Sequence, residues 1–143
     1  MLRGKKISEV QDMIVLDTSF LIDYFRGVKV TYSLVDEDDI AITTITYHEI
    51  LTGLKRKRSK REEKFFKRFF SEIRMLPFDV RAAEESSSIA ARLMAMGKEV
   101  NALDILITGI AIANGADKII TRDSDFETIA KVSDIEVVLY ERD

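Results

Sequence analysis

Cysteine is absent from the sequence and histidine occurs once, as His48. Disulfides and thiolate chemistry are thereby excluded, as is a zinc site of Cys and His, so any metal must be held by oxygen. No apolar run approaches the about 18 residues that a membrane-spanning helix requires. The opening "MLRGKKISEVQD" is basic at its start but has no apolar stretch behind it, unlike a secretory signal. These absences lead to the expectation of a cytoplasmic protein with no membrane partner. Gln and Asn are also scarce, at one and two residues, while Lys, Arg and Glu abound, a balance common in thermophile proteins. Proline occurs once, as Pro77 in the strand-like "MLPF", which suggests an edge strand or a strand start there.

What remains is the composition of a globular domain. Apolar residues make up 46% of the 143 and charged residues 33%, a length and balance that fit one core under a heavily charged surface. Residues 1–12 are polar and without period, so they are set apart as an N-terminal extension with no assigned role, and residues 13–143 as the domain. From Met13 onward, short β-branched runs alternate with longer helical patterns. "MIVLD", "IAIT", "MLPF", "KIIT" and "EVVLY" are five strand candidates separated by helices, which predicts an α/β domain with a five-stranded, mainly parallel sheet covered on both faces. Gly27, Gly97 and Gly115 fall where helices should stop in a left-handed cap.

Ligands of an open parallel sheet bind outside the carboxyl ends of its strands, and acidic residues stand at several of those ends. Asp17 follows the first strand; with Thr18 and Ser19 behind it, the position also suits a helix cap. Glu49 sits at the margin of the apolar face of "ITYHEILTGL", with Gly53 one turn on leaving space beside the carboxylate, although a solvated Glu is the commoner case. Asp104 lies in "ALDILITGIAIA", a helix apolar almost all round, where an unpaired carboxylate is costly; a capping box with Asn101 is the structural alternative. "KIITRDSDF" ends a strand in Thr121 and adds Asp123 and Asp125, of which a cap needs one, with Asp125 or Ser124 the better placed. Thr121 could hold a neighbouring carboxylate by its hydroxyl. Gathered at one sheet edge, these groups repel, and without a cation at least one should be protonated. A hard divalent ion such as Mg²⁺ or Mn²⁺ resolves that conflict.

This succession, D-T-S after the first strand, E with glycine four residues on, D in an apolar helix, then T-x-D-x-D-F, resembles the PIN domain, and within it the VapC-type ribonuclease toxins of toxin–antitoxin pairs. The resemblance runs from Met13 to about Tyr140. It implies the sheet order 3-2-1-4-5 and hydrolysis of RNA phosphodiester bonds with Mg²⁺ as cofactor, for which Mn²⁺ substitutes. It places the catalytic carboxylates on Asp17, Glu49, Asp104 and Asp123. Asp17, Asp104 and Asp123 become the metal ligands, with Glu49 and Asp125 as further candidates, and Thr18, Ser19 and Thr121 as supporting hydroxyls. The division of labour between Asp123 and Asp125 stays open. The implied partners are RNA, a VapB-type antitoxin and a second copy of the chain in a homodimer.

Two other readings stand beside it. A haloacid-dehalogenase-like phosphohydrolase would want D-x-D after the first strand, where Ser19 occupies the second position. A catalytically silent RNA- or protein-binding module would not need all the acidic positions filled. A covalent Ser19–His48 pair is disfavoured because His48 points about 100° away from its neighbour Glu49. Between Lys55 and Arg68 lie nine basic residues against two acidic. Lys55, Arg56, Lys57 and Arg58 are therefore candidate RNA contacts, against the alternative of a solvated face with pairs such as Glu63 with Lys67. Phe65, Phe66, Phe69 and Phe70 exceed what one face of a small sheet needs, so packing within the monomer is expected for at least two and a partner surface for the rest.

Overall fold

The apolar run Met13–Leu16 forms β1, and all four of its residues are buried. Alternate side chains point to opposite faces of a strand. Ile14 and Leu16 accordingly join one core cluster, while Met13 and Val15 join the other. A strand covered on both sides has no polar face to show, which is why its sequence reads as a continuous apolar run. The computed structural model describes residues 13–35 and 39–143; the extension assigned to residues 1–12 lies outside the described residues.

Five strands make one sheet in the order β3-β2-β1-β4-β5. They are β1, β2 (Asp39–Thr43), β3 (Arg74–Leu76), β4 (Lys118–Thr121) and β5 (Glu136–Leu139). Every pairing is parallel, so the mainly parallel sheet expected from the alternation is parallel throughout. The helices are α1 (Thr18–Phe25), α2 (Lys29–Leu34), α3 (Thr44–Arg56), α4 (Lys60–Ser71), α5 (Val80–Ala95), α6 (Ala102–Ala113) and α7 (Asp125–Ala130). Residues of α1, α3 and α4 pack with Ile14 and Leu16, and residues of α5, α6 and α7 with Val15. Pro77 falls one residue past β3, at the sheet edge, so it ends the strand rather than starting it.

The helix ends follow local chemistry. Asp17, Thr43, Asp79 and Asn101 each accept a backbone N–H from the first turn of α1, α3, α5 and α6. Gly27, Gly97 and Gly115 adopt φ of +83°, +67° and +71° after α1, α5 and α6, the left-handed caps expected of them. The basic run is not one helix: α3 stops at Arg56, and the chain turns through Arg58 at φ 57° before α4 begins. Of the four phenylalanines in α4, Phe69 and Phe70 are core residues, Phe66 is half-buried and Phe65 is 49% exposed. Phe25 meets Phe65, Phe66 and Phe69 edge to face, so even the outer rings are used within the monomer.

Gly109 marks the closest approach of α6 to α5. A Cβ there would lie 2.6 Å from Ser86 Cβ and 2.7 Å from the Ala82 carbonyl oxygen. Gly109→Ala is therefore expected to destabilise by roughly 1–3 kcal/mol in urea unfolding. At Gly53 an added Cβ meets nothing within 4 Å, which corrects the idea that this glycine is needed to clear space beside Glu49. Gly53→Ala should be neutral or stabilise by up to about 1 kcal/mol, and equal losses at the two glycines would refute the packing difference.

Candidate acidic site at the carboxyl edge of the sheet

Asp17 combines the two roles that its position allowed. Its Oδ1 accepts the Phe20 N–H at 3.0 Å, capping α1. The same carboxylate accepts the Ser19 hydroxyl at 2.9 Å and, on Oδ2, the Thr121 hydroxyl at 2.7 Å. Burial pushes its pKa up to about 6, against the lowering effect of the Thr121, Phe20 and Ser19 bonds, and the charge of Asp123 adds to the rise. Thr121 in turn accepts the Asp123 N–H at 2.9 Å, so one hydroxyl joins the ends of β1 and β4.

Glu49 is half-buried on α3, and its Oε1 accepts the Thr18 hydroxyl at 2.7 Å. Its side chain is thus tied to the first turn of α1. His48, beside it, is exposed. Ser19 spends its hydroxyl on Asp17 and accepts the Arg122 N–H at 3.1 Å, so no Ser–His pair exists among the described residues.

Asp104 is buried at 6% exposure, and its Oδ2 has no hydrogen-bond partner among the described residues. Burial, then the charge and hydrogen bond of Asp123, then the charges of Asp17 and Glu49, push its pKa up to about 8. Near neutral pH and without a cation it holds its proton, as the crowding of like charges requires. The capping-box alternative is half right. Asn101 caps α6 by accepting the Leu103 N–H at 2.9 Å, but its own N–H goes to Asp125 Oδ2 at 3.0 Å. Asp125, not Asp104, closes the box, and Asp104 Oδ2 is left without a partner among the described residues.

The cap expected at α7 also differs. Neither Ser124 nor Asp125 caps it with a side chain; instead Asp123 Oδ1 accepts the Asp125 N–H at 2.9 Å. The tight turn between β4 and α7 brings that N–H to Asp123 before any later side chain can reach it. Asp104, Asp123 and Asp125 each present an oxygen within 4.8 Å of the others. Asp17 stands beside this trio, already bonded to three donors.

Of the basic candidates, Lys55 pairs with Glu63 at 3.5 Å, and Glu63 also pairs with Lys67 at 2.9 Å. Arg56, Lys57 and Arg58 are exposed and form no ion pair among the described residues. A cleft lined by Lys60, Glu63, Lys64 and Lys67 opens on α4, and none of Asp17, Glu49, Asp104, Asp123 and Asp125 lines it.

Residues 14–132 match the PIN domain family. The chain belongs to that family. Solved structures agree with the PIN assignment at the level of the fold. VapBC2 from Rickettsia felis, bound to a DNA fragment from their promoter, is similar with a TM-score of 0.77 and 18% identity, covering 90% of this chain and 99% of that one. FitAcB from Neisseria gonorrhoeae is similar with a TM-score of 0.74 and 25% identity over 88% and 96% of the two chains. Mycobacterium tuberculosis VapC20, a sarcin-ricin loop cleaving toxin, gives a TM-score of 0.62 and 17% identity over 86% and 98%. A short uncharacterized protein of Archaeoglobus fulgidus is 62% identical over 42 residues, 29% of this chain and 79% of that one.

The acidic pocket of this PIN domain suits a hard divalent cation. Its donors are all carboxylate oxygens, three of them within 4.8 Å of one another, and Asp104 Oδ2 is buried with no hydrogen-bond partner among the described residues. One feature escaped sequence reasoning altogether. Asp23, fully buried on α1, binds Arg122, Tyr140 and Arg142. Its only signal was a charged residue among the apolar ones of "SFLIDYF", one turn beyond Ser19.

Proposed function

We propose that this chain is the toxin of a VapBC-type pair, an endoribonuclease that hydrolyses RNA phosphodiester bonds with Mg²⁺, for which Mn²⁺ substitutes. The observation that carries the reading is the unpartnered Asp104 carboxylate oxygen, buried among Asp17, Asp123 and Glu49 at the carboxyl edge of a PIN sheet. The match to VapC-type toxins of similar fold supports the same reading. Residues 13–143 form the working domain in this proposal, acting in the cytoplasm as a homodimer and silenced by a VapB-type antitoxin.

Asp17, Asp104 and Asp123 would hold the cation, with Asp125 beside Asp123 and Glu49 facing them. When bound, the cation supplies positive charge against the phosphate and lowers the pKa of the attacking water. The chain does the positioning. Thr121 and Ser19 fix the orientation of Asp17, and the Thr121 hydroxyl fixes Asp123 through its backbone. With Oε1 held by Thr18, Glu49 has Oε2 for orienting the water. As the water oxygen bonds to phosphorus, the bond from phosphorus to the 3′ oxygen breaks and the 3′ oxygen takes up a proton. A dehalogenase-like reaction would need a second carboxylate at position 19, where Ser19 instead hydrogen-bonds Asp17.

The deciding measurement offers the wild-type chain single-stranded RNAs and a small phosphate ester, each with Mn²⁺ or with EDTA. RNA cleavage that requires the cation is expected, together with a melting temperature raised by Mn²⁺. Ester hydrolysis without RNA cleavage would sink the nuclease reading. A silent module would cleave neither substrate.

A further inference from the structure

Asp23 lies one turn beyond Ser19 on the same face of α1 and is fully buried. It gathers more positive charge than it needs. Arg122 reaches it through Nε at 2.7 Å, Arg142 through Nη2 at 2.7 Å and Nε at 3.0 Å, and the Tyr140 hydroxyl donates at 2.8 Å. Two guanidinium groups on one carboxylate leave a net charge of +1. Both arginine side chains stay partly open to solvent, at 36% and 46%. Neither pairs with another acidic group among the described residues, and Glu141 and Asp143 beside Arg142 form no ion pair with it.

The backbone that carries Arg122 is fixed beside the acidic pocket. Arg122 precedes Asp123, and its backbone N–H donates to Ser19 Oγ, which itself donates to Asp17. Arg122 is therefore fastened to α1 twice, by its backbone at Ser19 and by its side chain at Asp23. Each guanidinium keeps Nη1 without a protein acceptor among the described residues. A guanidinium already held rigid loses little entropy on meeting an anion, and its planar edge matches phosphate. A pocket of carboxylates repels a polyanion, so a strand entering it gains from a fixed cation at its rim.

We infer that Arg122 and Arg142, clamped together on Asp23, form a phosphate-binding subsite for the RNA strand, taking a backbone phosphate that flanks the one at the carboxylates. The inference rests on the ribonuclease reading above. Its test is binding rather than cleavage: labelled single-stranded RNAs of several sequences, in EDTA, titrated at a series of salt concentrations with the wild-type chain, Arg142→Gln and Arg142→Lys. Arg142→Gln should weaken binding to every sequence alike and reduce the slope of log K against log salt by about 0.7, the value of one lost phosphate contact on a single strand. Arg142→Lys should keep most of that slope.

Unchanged affinity and slope in Arg142→Gln, even with a lowered melting temperature, would make the clamp purely structural and overturn the inference. Should Arg142→Gln not fold, the arginine Nε–H signals of the wild-type chain decide: RNA should shift those of Arg122 and Arg142, and unmoved signals reject the subsite. A wild-type chain that cleaves RNA while Arg142 is silent in binding leaves the nuclease reading intact and removes this one. RNA binding that depends on Arg142 without any cleavage does the reverse, and no RNA binding at all removes both.

Discussion

Asp104→Asn is expected to abolish cation-dependent RNA cleavage and, in the same protein, to change how stability depends on pH. Altering even an outer partner of a metal ligand typically loses about 10- to 100-fold, so losing the ligand proposed at Asp104 should cost at least about a hundredfold in kcat. The pH effect follows from burial. The folded protein holds the Asp104 proton up to about pH 8, whereas an ordinary aspartate carboxyl releases it near 3.8. Between these values the folded state binds more protons than the unfolded state, so stability falls as pH rises. The contribution is fully present below about pH 4 and gone above about pH 8. Its size is on the order of a few kcal/mol.

In EDTA, the wild-type melting temperature should therefore decline from pH 5 toward pH 8. Asp104→Asn carries no such proton and should lose the upper part of that decline, keeping the share of Asp17, which ends near pH 6. Saturating Mn²⁺ should reverse the wild-type trend, because the cation binds the deprotonated carboxylates. A flat wild-type profile in EDTA would show that Asp104 is not the desolvated group described.

The second large effect is on folding and centres on Asp23. Burial alone would push its carboxyl up, but the bonds from Arg142, Arg122 and Tyr140 hold it well below the usual carboxylate range. Two ways of breaking this hub should differ in magnitude. Asp23→Asn leaves two arginines that can turn their partly open heads to water, and should cost roughly 1–3 kcal/mol. Replacing both Arg122 and Arg142 by Ala strands a fully buried carboxylate, and should cost roughly 3–5 kcal/mol. Urea unfolding of the two proteins measures the difference, and the opposite order would mean that Asp23 is not shut off from water. Because the native pKa is depressed, the hub's stabilisation persists above the unfolded pKa near 4 and is lost only as pH falls through the acid range.

The contrast between Asp104 and Asp23 explains how much of the site was legible. Asp104 stood out because it interrupts a helix apolar almost all round, a conflict visible within a dozen residues. Asp23 occupies an equally buried position, but its partners lie 99, 117 and 119 residues away, and no local period connects them. The capping box failed for the same reason. Asn101 does call for a carboxylate at its N–H, as its local pattern suggests, yet the one supplied is Asp125, 24 residues downstream. Gly109 gave no signal either, since its need for a missing side chain comes from Ser86 and Ala82 on another helix.

The sequence by itself determined the five strands and every helix but α2, because apolar period and caps are written within one turn or one strand, and α2 has no side-chain cap to announce it. It also placed Asp17 and Asp123 at one edge, because parallel strands deliver the residues that follow them there, whereas Asp104 arrives on α6, which follows α5 rather than a strand. Tertiary structure alone decided which of those carboxylates is bonded and which is left open. It made Asp125 a partner of α6, left Asp104 Oδ2 without one, and closed Arg122 and Arg142 on Asp23. Hydrogen-bond partners are assigned by distance in space, and a chain carries no local record of which distant donor will arrive first.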